Sequence, residues 1–520
     1  MNTLLSDILD SYRDEMIGTL RKLLQIPTVL SDGQEGAPFG EPIRQSLEFI
    51  MALGRDKGFE CVNFDNYAGE INIPLPKKQA IGPASNTTGP SSDTAGLGKT
   101  FPRTDSTAVG VVSHLDVVPP GSGWTYDPFG GTLVDNKIWG RGAVDDKGPL
   151  VAAFYACCAI KDSGLPLSKV IKHIIGTNEE SGSFPCIEYY KSHAAVPACG
   201  IVPDAWFPAV FAEKGFLNFE FYKKIDPGSP ACSAMLPARL ISLSGGDALN
   251  MVPASASAEL SVKDECGAGK QNTEAEHFAK MMSKILEADG HKKNIAIEWN
   301  GNNITISSKG TAAHASAPEL GINAISILLN YIAALPSLPG EPWTTLRGLS
   351  AVLGQDTDGK GLDIGYTDHT GDTTVNIGRI SYDNAFLSVK LNIRFPVTFA
   401  VEALEKKLGE KAAALGMHYR RINYNPHFYI APDHPLITLL SDVYRDMTGD
   451  LISKPKAHGG GSYARILNGF VPFGPSMQNE ELCFHKQDEF ISCERLLLLS
   501  KIYAEALYRL AGQGGDHEYE

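Results

Sequence analysis

Two apolar runs, TAVGVVSHLD at residues 107–116 and SKVIKHIIGTNEE at 168–180, each stop abruptly in polar, chemically active side chains. Between them, Pro149–Ser163 reads as a helix and holds most of the longest apolar helical stretch, GPLVAAFYACCAI. A strand, a helix and a second strand in this order predict α/β architecture with a largely parallel sheet. Ligands of such sheets gather beyond the carboxyl ends of the strands. His114, Asp116, Glu179 and Glu180 all fall at such ends. Taken alone, a His-x-Asp pair is equally compatible with a capped strand end around an ordinary histidine.

A chain of 520 residues exceeds one ordinary core, so two domains are expected. The α/β pattern holds from about residue 60 to 205. After about residue 214 it changes: FLNFEFYKKI, ARLISLSGG and SAELSVKD read as antiparallel strands. Helices are expected at Ala275–Ala288 and Gly321–Leu335, and further strands at TVNIGRI and FLSVKLNIRF. The chain then returns to the first pattern with a helix in HPLITLLSDVYRDMTG, a glycine turn HGGGSYAR and a final helix over about Cys493–Leu510. The expected division is 1–213 and 426–520 for one domain, with 214–425 inserted as an α+β domain. Residues 77–106, rich in Gly, Pro, Ser and Thr, read as a long surface loop.

The amino-terminal segment reads as an amphipathic helix rather than as a leader. Leu5, Ile8, Leu9, Tyr12, Met16, Leu20 and Leu23 recur at helical spacing among acidic residues, and the helix is expected to end near Pro27. The apolar helix is too short to span a bilayer. A formal net charge of −14 argues against nucleic acid or an anionic membrane as partner. Nine scattered cysteines without a CxxC suggest neither a disulfide framework nor a zinc ribbon, and fit the cytoplasm.

The chemistry lies in a constellation. His114-x-Asp116, Asp145-Asp146 in GRGAVDDKG, Glu179-Glu180 in GTNEESGS, Asp204 in IVPDAWFP and His485 in CFHKQDEF are all read as closing apolar segments of one sheet. That much negative charge in one place is costly unless compensated. Divalent cations compensate it, and imidazole with carboxylate suits zinc, manganese or cobalt. Each doublet alone would pass for solvated surface.

In this order SHLDVVP, GRGAVDDKG, NEESGS, VPDAWFPAVFAEKG and FHKQDEF resemble the co-catalytic metallopeptidases that include carboxypeptidase G, acetylornithine deacetylase and carnosinase. The PDAWFPA…EKG segment, GGDALNMVP and GGGSYAR bring the likeness nearest to the PepV-type bacterial dipeptidases. The resemblance implies an α/β catalytic domain, with a mixed, mostly parallel sheet and an inserted α+β lid. It implies two divalent ions per chain, Zn²⁺ first, with Mn²⁺ or Co²⁺ as alternatives. His114 and Asp204 would hold one ion, Glu180 and His485 the other, and Asp145 would bridge them through a cis link to Asp146. Asp116 would support His114, and Glu179 would be the general base acting on a metal-bridging water. From the inserted domain His314, in KGTAAHASAPELG, would meet the oxyanion. Asn250 and Arg394 would contact the substrate. The glycine turn at Gly460, Gly461 and Ser462 is read as a second grip on its carboxylate.

The expected activity is hydrolysis of short peptides, foremost dipeptides with a free amino terminus. An N-acyl-amino-acid amidohydrolase or deacylase is the alternative. A metal-dependent binding protein without turnover fits less well, since it has no need of a free base at Glu179. No G-x-S-x-G occurs, which disfavours a serine hydrolase. The long insert favours a monomer, or a homodimer whose subunits act independently.

Overall fold

The computed structural model describes residues 2–74, 104–225, 238–262, 273–288, 292–300, 303–335, 341–354, 356–478, 480 and 483–512. The chain forms two compact units. Unit 1 comprises Met1–Phe211, Tyr429–Lys456 and Gly461–Glu520, and unit 2 comprises Ala212–Phe428 with Ala457–Gly460.

Unit 1 is built on a six-stranded sheet. Its strands are β1 (Glu60–Phe64), β2 (Ala68–Ile73), β3 (Thr104–His114), β4 (Val170–Gly176), β5 (Val196–Val202) and the short Phe470–Pro472, in the order β1-β2-β4-β3-β5 and then Phe470–Pro472. β4, β3, β5 and the last strand run parallel. The β1–β2 hairpin adds an antiparallel edge. The sheet is therefore mixed and mostly parallel. β3 is buried without alternation from Ala108 to His114, as a strand covered on both faces must be.

Several helices cover this sheet or lead into it. α1 (Thr3–Ser11) and α2 (Arg13–Leu24) divide the amino-terminal amphipathic segment at Tyr12, where a single helix was expected. α3 is Glu41–Asp56, and α4 is Lys147–Ser163, closed by Gly164 in the left-handed conformation. α4 is buried from Lys147 to Ile160 and packs against the final helix, Cys493–Gly512. Its small residues Ala152, Ala153 and Ala156 allow close approach. Phe154, Tyr155 and Ile160 each contribute about 1.5–3 kcal/mol by burial.

Unit 2 holds an eight-stranded antiparallel sheet. Its strands are β6 (Gly215–Lys224), β7 (Ala238–Gly245), β8 (Ser255–Val262), β9 (Ile295–Asn300), β10 (Asn303–Lys309), β11 (Thr374–Tyr382), β12 (Phe386–Phe395) and β13 (His418–Asn425). Their order is β9-β10-β8-β7-β11-β12-β6-β13. Helices at Thr273–Ala288, Ala324–Ala334, Glu341–Leu353 and Val401–Ala414 complete the unit. The helix expected from Gly321 begins at Ala324, because Asn323 caps it by accepting from Ile325 and Ser326 amides. The expected loop at 77–106 lies outside the described residues except for Thr104–Ser106, which belong to β3.

The described cysteines are free thiols. Among the described residues no helix is long and apolar enough to cross a membrane.

Glycines bring the strands carrying the site close enough to pack. A Cβ at Gly200 on β5 would come within 2.3 Å of the Gly110 carbonyl oxygen on β3 and 2.4 Å of the Phe470 ring. Gly200→Ala is therefore expected to destabilise unit 1 by about 1–3 kcal/mol through overpacking. Urea denaturation monitored by tryptophan fluorescence checks this, and an unchanged midpoint contradicts it.

Candidate metal centre

β3 delivers His114 to the carboxyl end of the sheet, where the chain stays extended. Leu115 donates to the Gly176 carbonyl at 3.1 Å, and Val117 to Thr28 at 3.0 Å. The His114 backbone N–H donates to Asp146 Oδ2 at 3.0 Å. Its Nδ1 donates to the backbone carbonyl of Asp116 at 3.0 Å, with the Asp116 carboxylate farther, at 3.4 Å. The expected carboxylate partner is thus joined, and preceded, by a carbonyl. Either acceptor places the proton on Nδ1 and turns the Nε2 lone pair toward the cluster.

The Asp116 carboxylate has another task. It accepts the Glu179 amide on both oxygens at 2.9 Å and the Glu180 amide on Oδ2 at 2.9 Å. The loop beyond β4 is thereby clamped to the loop beyond β3, which fixes the adjacent glutamates.

Asp145 stands at the centre. Its Oδ1 is 3.1 Å from His114 Nε2, and its Oδ2 is 3.0 Å from His485 Nε2. Asp204 Oδ2 lies 3.8 Å from His114 Nε2, and Glu180 Oε2 lies 3.2 Å from His485 Nε2. His114, Asp145 and Asp204 form one group, and Asp145, Glu180 and His485 a second; within each, the ligand atoms lie within 4.8 Å of one another. With metal–ligand bonds of about 2.0–2.2 Å, adjacent ligands of a tetrahedral site stand roughly 3.3 Å apart. The observed separations bracket that value. Each oxygen of Asp145 faces a different ring, as a bridging carboxylate requires. The Asp145–Asp146 peptide is cis.

Not every member closes a strand of the central sheet. Glu179, Glu180 and Asp204 come after β4 and β5. Asp145 and Asp146 instead sit just before α4, and His485 lies in a loop ahead of the short strand Phe490–Ser492. His485 adopts φ 59°, a left-handed conformation uncommon for a residue with a Cβ.

The electrostatics match a cation site. Burial would lower the pKa of His114, but its hydrogen bonds to Asp116 and Asp145 and the charges of Asp116 and Asp146 raise it well above the usual histidine value. Asp145 lies between the two rings, and they hold it below the carboxylate range against its burial. Burial raises Glu179 and Asp204 well above that range, and neighbouring carboxylates add to the effect. Carboxylates outnumber imidazoles here, so the two rings cannot balance the charge. Ions of higher charge would, and the oxygen and nitrogen donors suit Zn²⁺, Mn²⁺ or Co²⁺.

His314, Asn250 and Arg394 all lie in unit 2. Met251 pairs with His314, and the Ala315 amide donates to the Asn250 carbonyl at 2.9 Å. The Ser316 amide donates to His314 Nδ1 at 3.2 Å, so a neutral ring carries its proton on Nε2. Arg394, on β12, lies over the Phe216 ring with its guanidinium carbon 4.3 Å from the centroid. The Gly460 amide donates to His458 Nδ1 at 3.0 Å, and so is directed at a side chain. The helical segment after the glycines is no more than a three-residue 3₁₀ turn, Tyr463–Arg465.

Sequence reasoning passed over several residues around these groups. Glu489 accepts the Val144 and Asp145 amides, and the Lys147 ammonium is buried against the Leu23 and Ile26 carbonyls. The Tyr463 ring stands perpendicular to that of His114 and its hydroxyl shares a hydrogen bond with Cys186 at 3.0 Å. Glu489 and Tyr463 lie inside FHKQDEF and GGGSYAR, yet a side chain that serves amides or rings has no spacing signature.

Fold and donor set together define a class: a two-unit α/β protein with a dinuclear-type donor cluster beyond its parallel strands. The chain belongs to the peptidase family M20/M25/M40, whose model matches residues 110–509, and it is a hydrolytic enzyme. The family is metal-dependent. The chain is 34% identical over 506 residues to the Bacillus subtilis (strain 168) protein named "Putative dipeptidase YtjP", covering 96% of this chain and 98% of the relative. Among solved structures it is similar to the dipeptidase Dug1p of Saccharomyces cerevisiae (TM-score 0.53, 14% identity, 99% of each chain). It is also similar to human carnosine dipeptidase 1 (TM-score 0.52, 14% identity, 98% of each chain).

Asp145→Ala removes the carboxylate common to both groups. It is expected to lower the Zn²⁺ content of the purified protein at both, whereas Asp204→Ala affects chiefly one. Elemental analysis after equilibrium dialysis checks this. Equal retention of metal by the Asp145 variant and the unsubstituted protein contradicts the bridging geometry.

Proposed function

We propose that this enzyme hydrolyses the peptide bond of short peptides, with free dipeptides as its preferred class. The observation that carries the reading is the pair of donor groups sharing Asp145, with Glu179 beside them and spent on neither. The name of the Bacillus subtilis relative supports dipeptides over longer or acylated substrates.

In this reading His114 and Asp204 would hold one divalent ion, Glu180 and His485 the other, and Asp145 would serve both, with Zn²⁺ the first choice. When bound, such a pair lowers the pKa of a shared water and polarises the scissile carbonyl. Glu179 takes a proton from the attacking water and delivers it to the nitrogen of the leaving amine. Burial and the neighbouring carboxylates raise its proton affinity, which suits a base. Asp116 keeps the base and its neighbour apart in role by gripping both their amides. His314 donates from Nε2 to the developing oxyanion, a role supported by the Ser316 amide that fixes its tautomer. Arg394 pairs with the substrate's terminal carboxylate, and Asn250 and the turn at Gly460, Gly461 and Ser462 complete the substrate contacts. Because His314 and Arg394 belong to unit 2, their part requires that unit to act as a lid during turnover. We read the protein as cytoplasmic, and as a monomer or a homodimer of independent subunits. Its free thiols support the first and its long insert the second.

A screen of free dipeptides beside their N-acetylated forms, with and without chelator, tests the substrate class. Turnover confined to acetylated compounds would replace the dipeptidase reading by a deacylase. Glu179→Ala is expected to lower kcat by about 10²–10⁴-fold with metal content near that of the unsubstituted protein. Glu180→Ala is expected to lose metal as well. Identical metal contents in the two variants would refute the division of labour within the doublet.

His314→Ala is expected to lower kcat by about 10²–10³-fold and to move KM much less, since an oxyanion donor acts mainly in the transition state. Steady-state kinetics on a cleaved dipeptide decide this. Undiminished kcat would remove His314 from the reaction.

A further inference from the structure

Among the described residues outside the donor groups, the most completely buried pair of opposite charges is Arg141 and Glu489. Their side chains are 2% and 0% exposed, and Arg141 Nη1 donates to Glu489 Oε2 at 2.6 Å. A buried ion pair is a poor device for stability alone, because desolvation cancels much of its attraction. What the pair touches points elsewhere.

Glu489 uses every acceptor it has. Oε1 takes the Val144 amide at 2.8 Å and the Asp145 amide at 3.3 Å, while its backbone carbonyl takes the Gly140 amide at 2.9 Å. Glu489 therefore holds both ends of the turn from Gly140 to Asp145, while the Arg141 amide within it donates to the Pro128 carbonyl at 2.8 Å. Beside it, Asp488 accepts the Thr125 amide at 2.7 Å and the Thr125 hydroxyl at 2.9 Å. Phe490–Ser492 then pairs antiparallel with Lys137–Trp139. The segments 137–145 and 485–492 are thus zipped together, and Glu489 stands where the zip reaches the metal ligands. His485 is four residues upstream. The Arg141 guanidinium neutralises Glu489 and is covered by the Trp124 ring, 5.2 Å from its centroid.

We propose that Arg141 and Glu489 are a positioning pair that presets Asp145 against His485, and so builds the second donor group before any ion arrives. The inference rests on the two-ion reading above. Glu489 orients the Asp145 backbone and sets the loop that carries His485. Arg141 makes a bare carboxylate tolerable at that depth. Outer contacts of this kind typically change metal affinity by about 10–100-fold when removed.

The test is a stepwise Co²⁺ titration of the chelator-treated full-length protein. It is monitored by visible absorption and elemental analysis, with thermal unfolding alongside. The unsubstituted protein is expected to take up about two equivalents. In Glu489→Leu one of the two steps is expected to weaken by about 10–100-fold, with an altered absorption spectrum. Glu489→Gln keeps an oxygen for the Val144 and Asp145 amides and is expected to recover most of the affinity. Two wild-type binding steps in a folded Glu489→Leu variant would overturn the proposal while leaving the two-ion reading intact. So would failure of the near-isosteric Glu489→Gln to fold, which would make the pair a requirement of the whole unit. No Co²⁺ uptake by the unsubstituted protein would overturn the two-ion reading and this inference with it.

Discussion

Asp145 sits between two imidazoles with one oxygen turned to each, and the rest of unit 1 is arranged to make that position tenable. Asp116, Asp146, Glu179, Glu180 and Asp204 crowd around it. Desolvation pushes the last four toward their protonated forms. Amides and rings of the fold take up part of this acid. Asp116 has the two glutamate amides, Asp146 has the His114 amide, and Asp145 has the rings. What the amides and rings leave unbalanced is charge, and that imbalance defines the chemistry.

The mostly parallel sheet was legible because its strands are buried on both faces and read as unbroken apolar runs ending in polar residues. α4 was legible for the same reason. The donor residues could be singled out because their side-chain types are rare at the ends of such runs. The break at Tyr12 was not legible. Tyr12 has helical dihedrals and the apolar period continues through it, so nothing in the pattern marks the joint. The helices Glu341–Leu353 and Val401–Ala414 escaped because one opens on a proline-bearing turn and the other is largely charged.

Loops account for the other differences. Asp145, Asp146 and His485 resemble strand-end residues in sequence, yet reach the cluster from a helix start and a left-handed loop position. At the glycine turn, the contact from the Gly460 amide to His458 Nδ1 is one that spacing does not encode. Glu489 escaped for a related reason: its value lies in the amides it accepts, and any acidic residue in that stretch would look alike on paper.

The two donor groups also differ in when the chain completes them. His114, Asp145 and Asp204 all precede residue 212, where unit 2 begins. The group containing Glu180 waits for His485, which lies 305 positions later. During synthesis on the ribosome one half of the centre is therefore fully encoded before unit 2 emerges, and the other only after unit 2 has been made. The entropy of closing so long a loop rises only logarithmically with its length, so the separation costs the finished protein little. For the nascent chain it sets an order of events: one complete donor group first, then the inserted unit, and last the carboxyl-terminal segment that closes the sheet edge and supplies the remaining imidazole.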